Sequence, residues 1–493
     1  MKRINLFDSF NLLIPECILI IGILILTFLL LFKNKNEVVA KYFFIFILIV
    51  SLVFSLLNFN INKIFIISEG KVQNGFLILD NIYYLFRFTI LIISIIIGIN
   101  YIIKSEIKIY NLIYFIGIIF SGLVIISSLN LFLSFLALEF FFLSLVFLFF
   151  QQTDKYNHEF QKTILSGFFI SAMIVLGIII IYGMASTVNY FELKDVFQNN
   201  SINLFAYSVS VILFLGGLTY KVFLIPVQFL RYPNKTNFNS IMSILILFST
   251  IIFFAFLFRF LTPFFSILTE NNGIQLFEIF NWGKILPIIL VITIGISSLF
   301  FITTKNIKIF LLLSIILNLS NSLILFTYFN ISHFAISFSY FLSTIFIHLC
   351  LFIALFLCPS EDKFVDLKDL KDIFHRSKVF GSVLIFIILS LIGFPLTLGF
   401  WVKAILIKEL FSSINLVILI TIIINFIITT LVYFKIIHLL TTKNEEHSKL
   451  KFSIINLIVL LVLLIGVIFF SIKPNSWYEM FDGIISSIKN LFV

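Results

Sequence analysis

The sequence predicts an all-α polytopic membrane protein of about 14 transmembrane helices, and its composition and hydropathy pattern are the reasons. The chain has 493 residues, of which 61% are hydrophobic and 11% are charged, and its mean hydropathy is +1.19. Soluble domains carry about a quarter charged residues. The apolar runs are continuous rather than alternating, which favours helices over barrel strands, the other structure that satisfies its backbone in lipid.

Each apolar run of about 20 residues is interpreted as one membrane span. The first run, Leu12 to Phe32, is long enough to cross a bilayer and is predicted to be retained rather than cleaved as a signal peptide. The predicted spans lie near residues 12–32, 40–58, 82–103, 111–128, 130–151, 162–184, 205–230, 239–261, 283–302, 308–329, 333–358, 378–412, 415–440 and 452–472.

The loops between these spans differ in charge. One side carries 18 basic residues and the other carries 9, and the richer side is predicted to face the cytoplasm or the matrix. Both termini then lie on the opposite side, as an even number of spans requires. Because short loops account for the net charge of +10, nucleic acid is not a predicted partner. The three cysteines form no CxxC pair, so neither a metal site nor an iron–sulfur cluster is predicted in this chain.

The loop at residues 361–378 has a pattern of its own. Phe364, Leu367, Leu370 and Phe374 share one face of a helix and charged residues surround them. This pattern predicts an interfacial helix on the basic side of the membrane, with a solvated loop as the alternative.

Two predicted spans contain helix-breaking residues near a lysine. Gly216, Gly217 and Pro226 surround Lys221 in the seventh span, and Gly393, Pro395 and Gly399 precede Lys403 in the twelfth. Interrupted helices five spans apart are typical of inverted repeats, although ordinary kinks are common in membrane helices. The predicted domains are helices 1–3 at 1–110, a first five-helix repeat at 111–261, a second at 283–440, and helix 14 with an interfacial tail at 441–493.

Four ionisable residues lie deep inside apolar runs: Glu139, Lys221, His348 and Lys403. A charged side chain at the bilayer centre costs about 2.5–3.5 kcal/mol even on the lenient insertion scale. Ionisable groups at such positions mark pathways for ions or protons. Arg87, Arg259, Asp80 and Glu16 lie near span ends and are predicted to be interfacial anchors or partner contacts instead.

The residues around these lysines resemble a known family. Leu389 to Lys403 reads LSLIGFPLTLGFWVK, close to LSLAGxPPxxGFxxK, and Gly217 to Lys221 with Pro226 resembles GxxFKxxxxP. Thr304 to Lys308 resembles QTNIK, and Glu139 ends an LxLE segment. Together the ordered motifs resemble subunit 2 of the NADH:quinone oxidoreductase of respiratory complex I, in the antiporter-like membrane subunit family.

The resemblance implies a proton-translocating membrane-arm subunit whose catalytic proton relay comprises Glu139, Lys221, Lys403 and His348. NADH, FMN, iron–sulfur clusters and ubiquinone are then expected in partner subunits, so this chain binds no cofactor and carries no redox chemistry. Its partners are the bilayer and the other membrane-arm subunits. Composition typical of AT-rich coding favours the mitochondrial inner membrane, with both termini on the intermembrane-space side; a bacterial plasma membrane is the alternative.

The sequence also departs from the family pattern. Leu396 replaces the second proline, Gln228 and Leu230 replace a histidine and a tryptophan, and Thr250 occupies the place of the eighth-span lysine. The last departure puts in doubt a relay copied step by step from the family.

The buried charges predict that Glu139 switches the protonation of Lys221. Burial disfavours the Lys221 ammonium and the Glu139 carboxylate favours it, so moving the carboxylate would release a proton, which Lys221 would exchange with Lys403. Alternative interpretations are a static ion pair, a Lys403 side chain that extends to the membrane surface, and a His348 that is an ordinary core histidine.

Two other functions stay open. A stand-alone cation/proton antiporter would share the fold but work without NADH, and it would need a cation site, for which the sequence offers one buried acid. A structural subunit with reduced pumping is favoured by Thr250 and opposed by the retention of Glu139, Lys221 and Lys403.

Overall fold

The fold was analysed on a computed structural model of the whole chain. The structure describes residues 2–4, 12–31, 37–58, 65–68, 75–104, 108–150, 157–199, 203–221, 240–261, 282–326, 331–358, 366–412, 416–443, 454–472 and 479. Most of these residues are helical, which confirms the predicted all-α membrane fold, and they group into two compact units.

The first unit comprises residues up to Pro226 and from Phe248 to Phe280, with the last four residues of the chain. Its helix α9 begins eight residues before Phe248, in residues grouped with the second unit. Its elements are β1 (Lys2–Ile4), α1 (Ile14–Leu31), α2 (Glu37–Leu57), β2 (Phe65–Ser68), β3 (Gly75–Leu79), α3 (Asn81–Lys104), α4 (Ile109–Ser127), α5 (Leu131–Phe150), α6 (Asn157–Ala185), α7 (Tyr190–Asn199), α8 (Leu204–Thr219) and α9 (Ser240–Leu261).

The second unit comprises Val227 to Leu247 and Asn281 to Lys489. Its other helices are α10 (Trp282–Thr303), α11 (Ile307–Phe326), α12 (Ile331–Phe356), a 3-10 helix (Leu367–Leu370), α13 (Ile373–Arg376), α14 (Lys378–Ile392), α15 (Leu398–Ser412), α16 (Leu416–Thr441) and α17 (Ile454–Ile472). The predicted division into repeats and terminal segments stays a prediction.

Each predicted span overlaps a described helix, because continuous apolar runs have no other way to pair their backbone in lipid. The seventh span is described only as far as residue 221. Nine helices among the described residues are long and apolar enough to cross a membrane, and four shorter apolar helices accompany them. Large apolar side chains such as Phe169 and Ile179 project from these helices and are exposed. The total number of membrane crossings stays a prediction.

The sequence analysis missed a small sheet in the first unit. β1 pairs with β2 in parallel, and β2 pairs with β3 antiparallel. The strands are three to five residues long, too short to stand out among apolar runs of helical length.

The twelfth predicted span consists of two helices, α14 and α15, separated by residues 393–397. Gly393 ends α14 with φ of +83°, a left-handed conformation that glycine adopts without strain. Leu396 also has a positive φ, of +71°. Proline fixes φ near −65°, so the proline that the family pattern has here would not fit this backbone.

The predicted interfacial helix over 361–378 is wrong for its described part. Residues 366–377 form a 3-10 turn and the short helix α13, because Asp372 between them takes a left-handed φ of +68°. Leu367, Leu370 and Ile373 are buried, and the Asp372 N–H donates to the Leu439 carbonyl of α16. The segment therefore packs onto the second unit; Phe364 lies outside the described residues.

Candidate functional site

Lys221 follows the end of α8, where residues 220–221 form a π-helical turn. Such turns occur where a helix is distorted, often at functional sites. The Tyr220 N–H is shared between the Gly216 and Gly217 carbonyls. Pro226, the predicted helix breaker, lies outside the described residues.

The Lys221 ammonium is fully buried and has two polar partners from neighbouring helices. It donates to the Glu139 carboxylate of α5 in an ion pair, and to Ser171 Oγ of α6 at 2.6 Å. The Phe142 ring lies 5.0 Å from Lys221 Nζ, within cation–π range. The predicted pair of Glu139 and Lys221 is thus brought together, and Ser171 is a partner that sequence reasoning missed.

Small residues hold these helices close. A Cβ built on Gly177 of α6 would lie 2.7 Å from the Ser210 carbonyl oxygen of α8. Membrane helices approach closely where glycine removes the side chain between them. This contact keeps α6, which carries Ser171, against the helix that leads to Lys221.

Thr250, which the sequence analysis aligns with the eighth-span lysine of the family, is fully buried on α9. No basic residue other than Arg259 occurs on α9. This helix therefore adds no titratable lysine to the first unit within the described residues.

Lys403 lies on α15 in the second unit, and its side chain is 8% exposed. Its ammonium donates to the carbonyl oxygens of Leu391 at 2.7 Å and Ile392 at 3.0 Å, and it lies 4.8 Å from the Phe426 ring centre. The structure thus places the ammonium on backbone carbonyls inside the protein, rather than at an exposed surface.

The helix break supplies these carbonyl acceptors. The Gly393 turn ends α14 and returns two N–H groups to the Leu389 carbonyl, so the carbonyls of Leu391 and Ile392 have no onward helical donor. Gly399 allows α15 to cross here, since a Cβ on it would overlap the Ser390 carbonyl oxygen. A cation at a helix C-terminus is also favoured by the helix dipole.

Two buried polar atoms, on the two helices that carry the contacts of Lys403, have no hydrogen-bond partner in the described part of the chain. They are Ser390 Oγ, one residue before the Leu391 acceptor, and Asn425 Oδ1, one residue before Phe426. Buried polar groups are usually paired, often with water. Helices α14 and α16 therefore offer hydrogen-bonding capacity that water molecules would satisfy.

His348 of α12 is buried in a hydrogen-bonded series with α11 and α16. Its Nδ1 lies 2.7 Å from the Thr344 carbonyl oxygen, and its Nε2 lies 2.7 Å from Ser314 Oγ. A carbonyl oxygen only accepts, so Nδ1–H donates to Thr344, and Nε2 of the neutral ring accepts from Ser314. Ser314 is also hydrogen-bonded to the Tyr433 hydroxyl.

Sequence reasoning missed Tyr433 and the contact of Ser314 with His348, because serine and tyrosine are common in membrane helices. The one available signal was for Ser314, to which the family match that begins at Thr304 continues, six residues after Lys308 on the same helix.

The structure also differs from the sequence prediction at the four charged residues near the span ends. Glu16 accepts from the Tyr83 hydroxyl and pairs with Arg87 at 3.2 Å, and Asp80 pairs with Arg259 through bonds of 2.7 and 2.8 Å. All four charged side chains are buried. They form internal ion pairs of the first unit, since buried charges require a partner. Their position at the membrane interface stays a prediction.

Among the described residues, no three His, Cys, Asp or Glu side chains converge to hold a metal ion.

Comparisons with known proteins identify relatives of the chain. A model described as NADH:quinone oxidoreductase/Mrp antiporter, transmembrane, matches residues 128–429. The NADH-quinone oxidoreductase subunit N 2 of Chloroherpeton thalassium is 22% identical over 317 residues, which are 62% of this chain and 61% of that protein. The alignment thus spans less than two thirds of the relative's length.

Three solved structures share the fold. A chain of respiratory complex I from Thermus thermophilus has a TM-score of 0.73 at 18% identity, covering 94% of this chain and 98% of its own. A chain of an archaeal membrane-bound sulfane sulfur reductase has a TM-score of 0.81 at 17% identity, with 97% and 98% covered. A chain of the Mrp complex from Dietzia sp. DQ12-45-1b has a TM-score of 0.76 at 12% identity, with 97% of both covered.

Proposed function

Because this chain belongs to the NADH:quinone oxidoreductase/Mrp antiporter transmembrane family, we propose that it is a proton-translocating membrane-arm subunit of an NADH:quinone oxidoreductase of the complex I type. The observation that carries the proposal is the buried Lys221 ammonium, held by Glu139 and Ser171 among apolar helices. A membrane protein keeps such a charge in spite of its cost where the charge has a function.

Glu139 is the group that sets the protonation of Lys221. At about 4 Å and an effective dielectric near 20, a carboxylate stabilises an ammonium by about 4 kcal/mol. If Glu139 moves away, burial disfavours the charged lysine and Ser171 alone cannot offset that cost, because it is a neutral acceptor. Lys221 then releases its proton.

Lys403 plays the corresponding part in the second unit, with a different environment. Its ammonium has carbonyl acceptors and an aromatic face but no carboxylate within hydrogen-bond distance among the described residues. The ammonium is therefore held by dipoles that stay in place, and its proton is accepted or released according to the hydration of its surroundings. His348 and the hydroxyls of Ser314 and Tyr433 form the second titratable group of that unit.

Several parts of the proposal concern partners. NADH oxidation, FMN, iron–sulfur clusters and quinone reduction belong to other subunits, and this chain contributes proton transfer. The membrane is one that carries a respiratory chain, either the mitochondrial inner membrane or a bacterial plasma membrane. Proton exchange between Lys221 and Lys403 stays a prediction.

A stand-alone cation/proton antiporter is the second candidate, because the family description includes Mrp antiporters and an Mrp chain shares the fold. A native gel of mildly solubilised membranes, stained for NADH dehydrogenase activity and probed for this chain by mass spectrometry, separates the two. Co-migration with a large NADH-oxidising band is expected. Migration away from that activity, in a small assembly, would favour the antiporter.

The Glu139→Gln variant tests the mechanism within the assembled complex. Glutamine keeps the shape and a hydrogen-bond acceptor but removes the charge, so proton transport per NADH oxidised is expected to fall. Glu37→Gln, at an exposed position at the start of α2, is the matched control. Unchanged coupled transport in Glu139→Gln would refute the assigned role and favour a static ion pair or a structural subunit.

A further inference from the structure

Helix α16 exposes one continuous stripe of its surface, which we call the α16 stripe. Its exposed side chains recur every three or four residues, and this spacing places them on one face of the helix. The opposite face, which includes Ile422, Val432 and Tyr433, is buried against the second unit. The apolar members of the stripe are each 47–68% exposed, and they are Leu416, Val417, Ile420, Ile424, Ile427, Leu431 and Phe434.

The α16 stripe ends in two basic residues. Lys435 follows Leu431 by four residues, His438 follows Lys435 by three, and both side chains are exposed. Within the described part of the chain, neither side chain has a hydrogen bond or an ion pair. Lys443, exposed just beyond the end of the helix, adds a second ammonium at the same end. The stripe thus joins a long apolar surface to a group of hydrogen-bond donors that the protein itself leaves available.

The position of Lys435 along the helix matches the level of lipid phosphates. From Leu416 to Lys435 the helix rises by about 28 Å, close to the thickness of the hydrocarbon core of a bilayer. With α16 along the membrane normal and Leu416 at one edge of the core, Lys435 lies at the other edge. The remaining turns to Thr441 then extend into the headgroup region. Because lysine side chains near helix ends extend towards the headgroups, the ammonium reaches the phosphates.

Basic residues outnumber acidic ones around this end of α16. The segment at 366–378 lies against it, since the Asp372 N–H donates to the Leu439 carbonyl oxygen at 3.2 Å and His375 Nε2 lies 2.9 Å from the Thr441 carbonyl oxygen. Asp372 is buried, and Asp369 Oδ2 accepts from the Asp366 N–H at 2.8 Å. The segment carries these three aspartates against four cations, which are Lys368, Lys371, Arg376 and Lys378. The charge at this end therefore favours an anion.

The composition of the α16 stripe favours lipid over a partner helix. Membrane helices pack closely where small residues let their backbones approach, and Gly177 of α6 provides such a contact with α8 inside this chain. From Leu416 to Phe434 the stripe has only large aliphatic and aromatic side chains. Flexible acyl chains fit between such side chains, whereas a second helix would be held away from the backbone of α16.

We propose that the α16 stripe binds an anionic phospholipid, with its phosphate at Lys435 and His438 and an acyl chain along the stripe towards Leu416. Lys435 supplies the counter-charge, and the His438 ring supplies an N–H donor. A zwitterionic headgroup is disfavoured, because its own cation meets Lys435, Lys443 and the basic segment. The site requires only that the chain lies in a membrane, so it does not depend on the proposed role in proton transport.

The test uses the native assembly that contains this chain, purified in mild detergent and placed in phosphatidylcholine nanodiscs with a small share of a photoactivatable lipid. One preparation contains phosphatidylglycerol with a diazirine in its acyl chain, and the other contains phosphatidylcholine with the same acyl chain. Mass spectrometry measures the crosslinks on residues 416–434. Phosphatidylglycerol is expected to give about fivefold more crosslinking, since one basic residue near an anionic lipid surface contributes about 1 kcal/mol.

Variants at the basic end identify the group that selects the lipid. Lys435→Gln should remove the preference for phosphatidylglycerol, and Lys435→Arg, which keeps the charge, should retain it. Lys305→Gln is the matched control, because Lys305 is exposed at the same end of the second unit, where its carbonyl oxygen accepts from the Leu367 N–H at 2.7 Å. Unchanged preference in Lys435→Gln would overturn the assignment of Lys435 to the phosphate.

The wild-type chain alone also decides the proposal. Equal crosslinking by the two lipids would overturn it, because the stripe would then contact bulk lipid without selection. Absence of crosslinks from both lipids would overturn it as well, and would show that a partner subunit covers the stripe. Excess inorganic phosphate separates the two sources of a phosphate group. A preference that persists in its presence supports a bound lipid, and a preference that disappears shows that the basic end binds free phosphate instead.

Discussion

The ion pair between Asp80 and Arg259 allows a quantitative test of what stabilises the first unit. Arg259 donates through both terminal nitrogens to the Asp80 carboxylate, at 2.7 and 2.8 Å, and its Nε donates to the Ile126 carbonyl at 3.0 Å. Both side chains are almost fully buried. The pair thus connects the start of α3 to the last turns of α4 and α9.

The perturbation is Asp80→Asn. Asp80 Oδ1 also accepts from the Tyr83 N–H and so caps α3. Asparagine is an equally good N-cap, so this substitution removes the charge and keeps the cap. It leaves the Arg259 guanidinium buried without a counter-charge, which costs about 3–5 kcal/mol.

The assay is reversible unfolding of the purified full chain by SDS titration, with helical circular dichroism as the readout. The double variant Asp80→Asn with Arg259→Gln removes both charges and should recover most of the lost stability, because a buried pair replaced as a whole is often neutral. Lys305→Gln, at an exposed loop position, is the control. A loss below about 1 kcal/mol for Asp80→Asn, within the ordinary range of single substitutions, would refute the reasoning.

Three further substitutions have defined outcomes. Gly399→Ala should lower the free energy of unfolding by about 1–3 kcal/mol, because its Cβ would overlap the Ser390 carbonyl oxygen. Gly295→Ala is the control, since no heavy atom lies within 4 Å of its added Cβ. Equal SDS midpoints for the two variants would contradict this prediction. Leu396→Gly should raise the free energy of unfolding by about 1 kcal/mol, because glycine adopts the positive φ at this position without strain. Leu396→Pro should lower the free energy of unfolding in the same SDS titration. Ser171→Ala should slow proton uptake in vesicles, since the Lys221 ammonium loses its second acceptor, whereas Ser166→Ala, whose hydroxyl bonds within its own helix, should leave the rate unchanged.

Most of the fold was predictable from the sequence, since long apolar runs are sufficient to identify membrane helices. The runs at 205–230 and 378–412 were also predicted to be irregular, because each combines glycine and proline with a lysine. The π-helical turn at residues 220–221 and the end of α14 at Gly393 agree with that prediction. The short strands β1 to β3 and the turn at Asp372 were not predictable, because neither has a periodic pattern and both depend on tertiary contacts.

The candidate site was predictable in its charges but not in its connections. Glu139, Lys221 and Lys403 are conspicuous since a charge is rare in an apolar run. Their hydrogen-bond partners, such as Ser171 and the Leu391 carbonyl, are common groups that only the packing of helices selects. Likewise, Asp80 and Arg259 lie 179 residues apart, so no local pattern could pair them.

Proton pumping by variants of the two buried lysines tests the central claim most directly. Vesicles holding the assembled complex would be supplied with NADH, and acidification per NADH oxidised would be compared among Lys221→Met, Lys403→Met and the exposed control Lys305→Met. The proposed mechanism predicts a reduced ratio for the first two and a normal ratio for the third. Normal pumping by both Lys221→Met and Lys403→Met, in complexes that assemble and oxidise NADH at the usual rate, would contradict it.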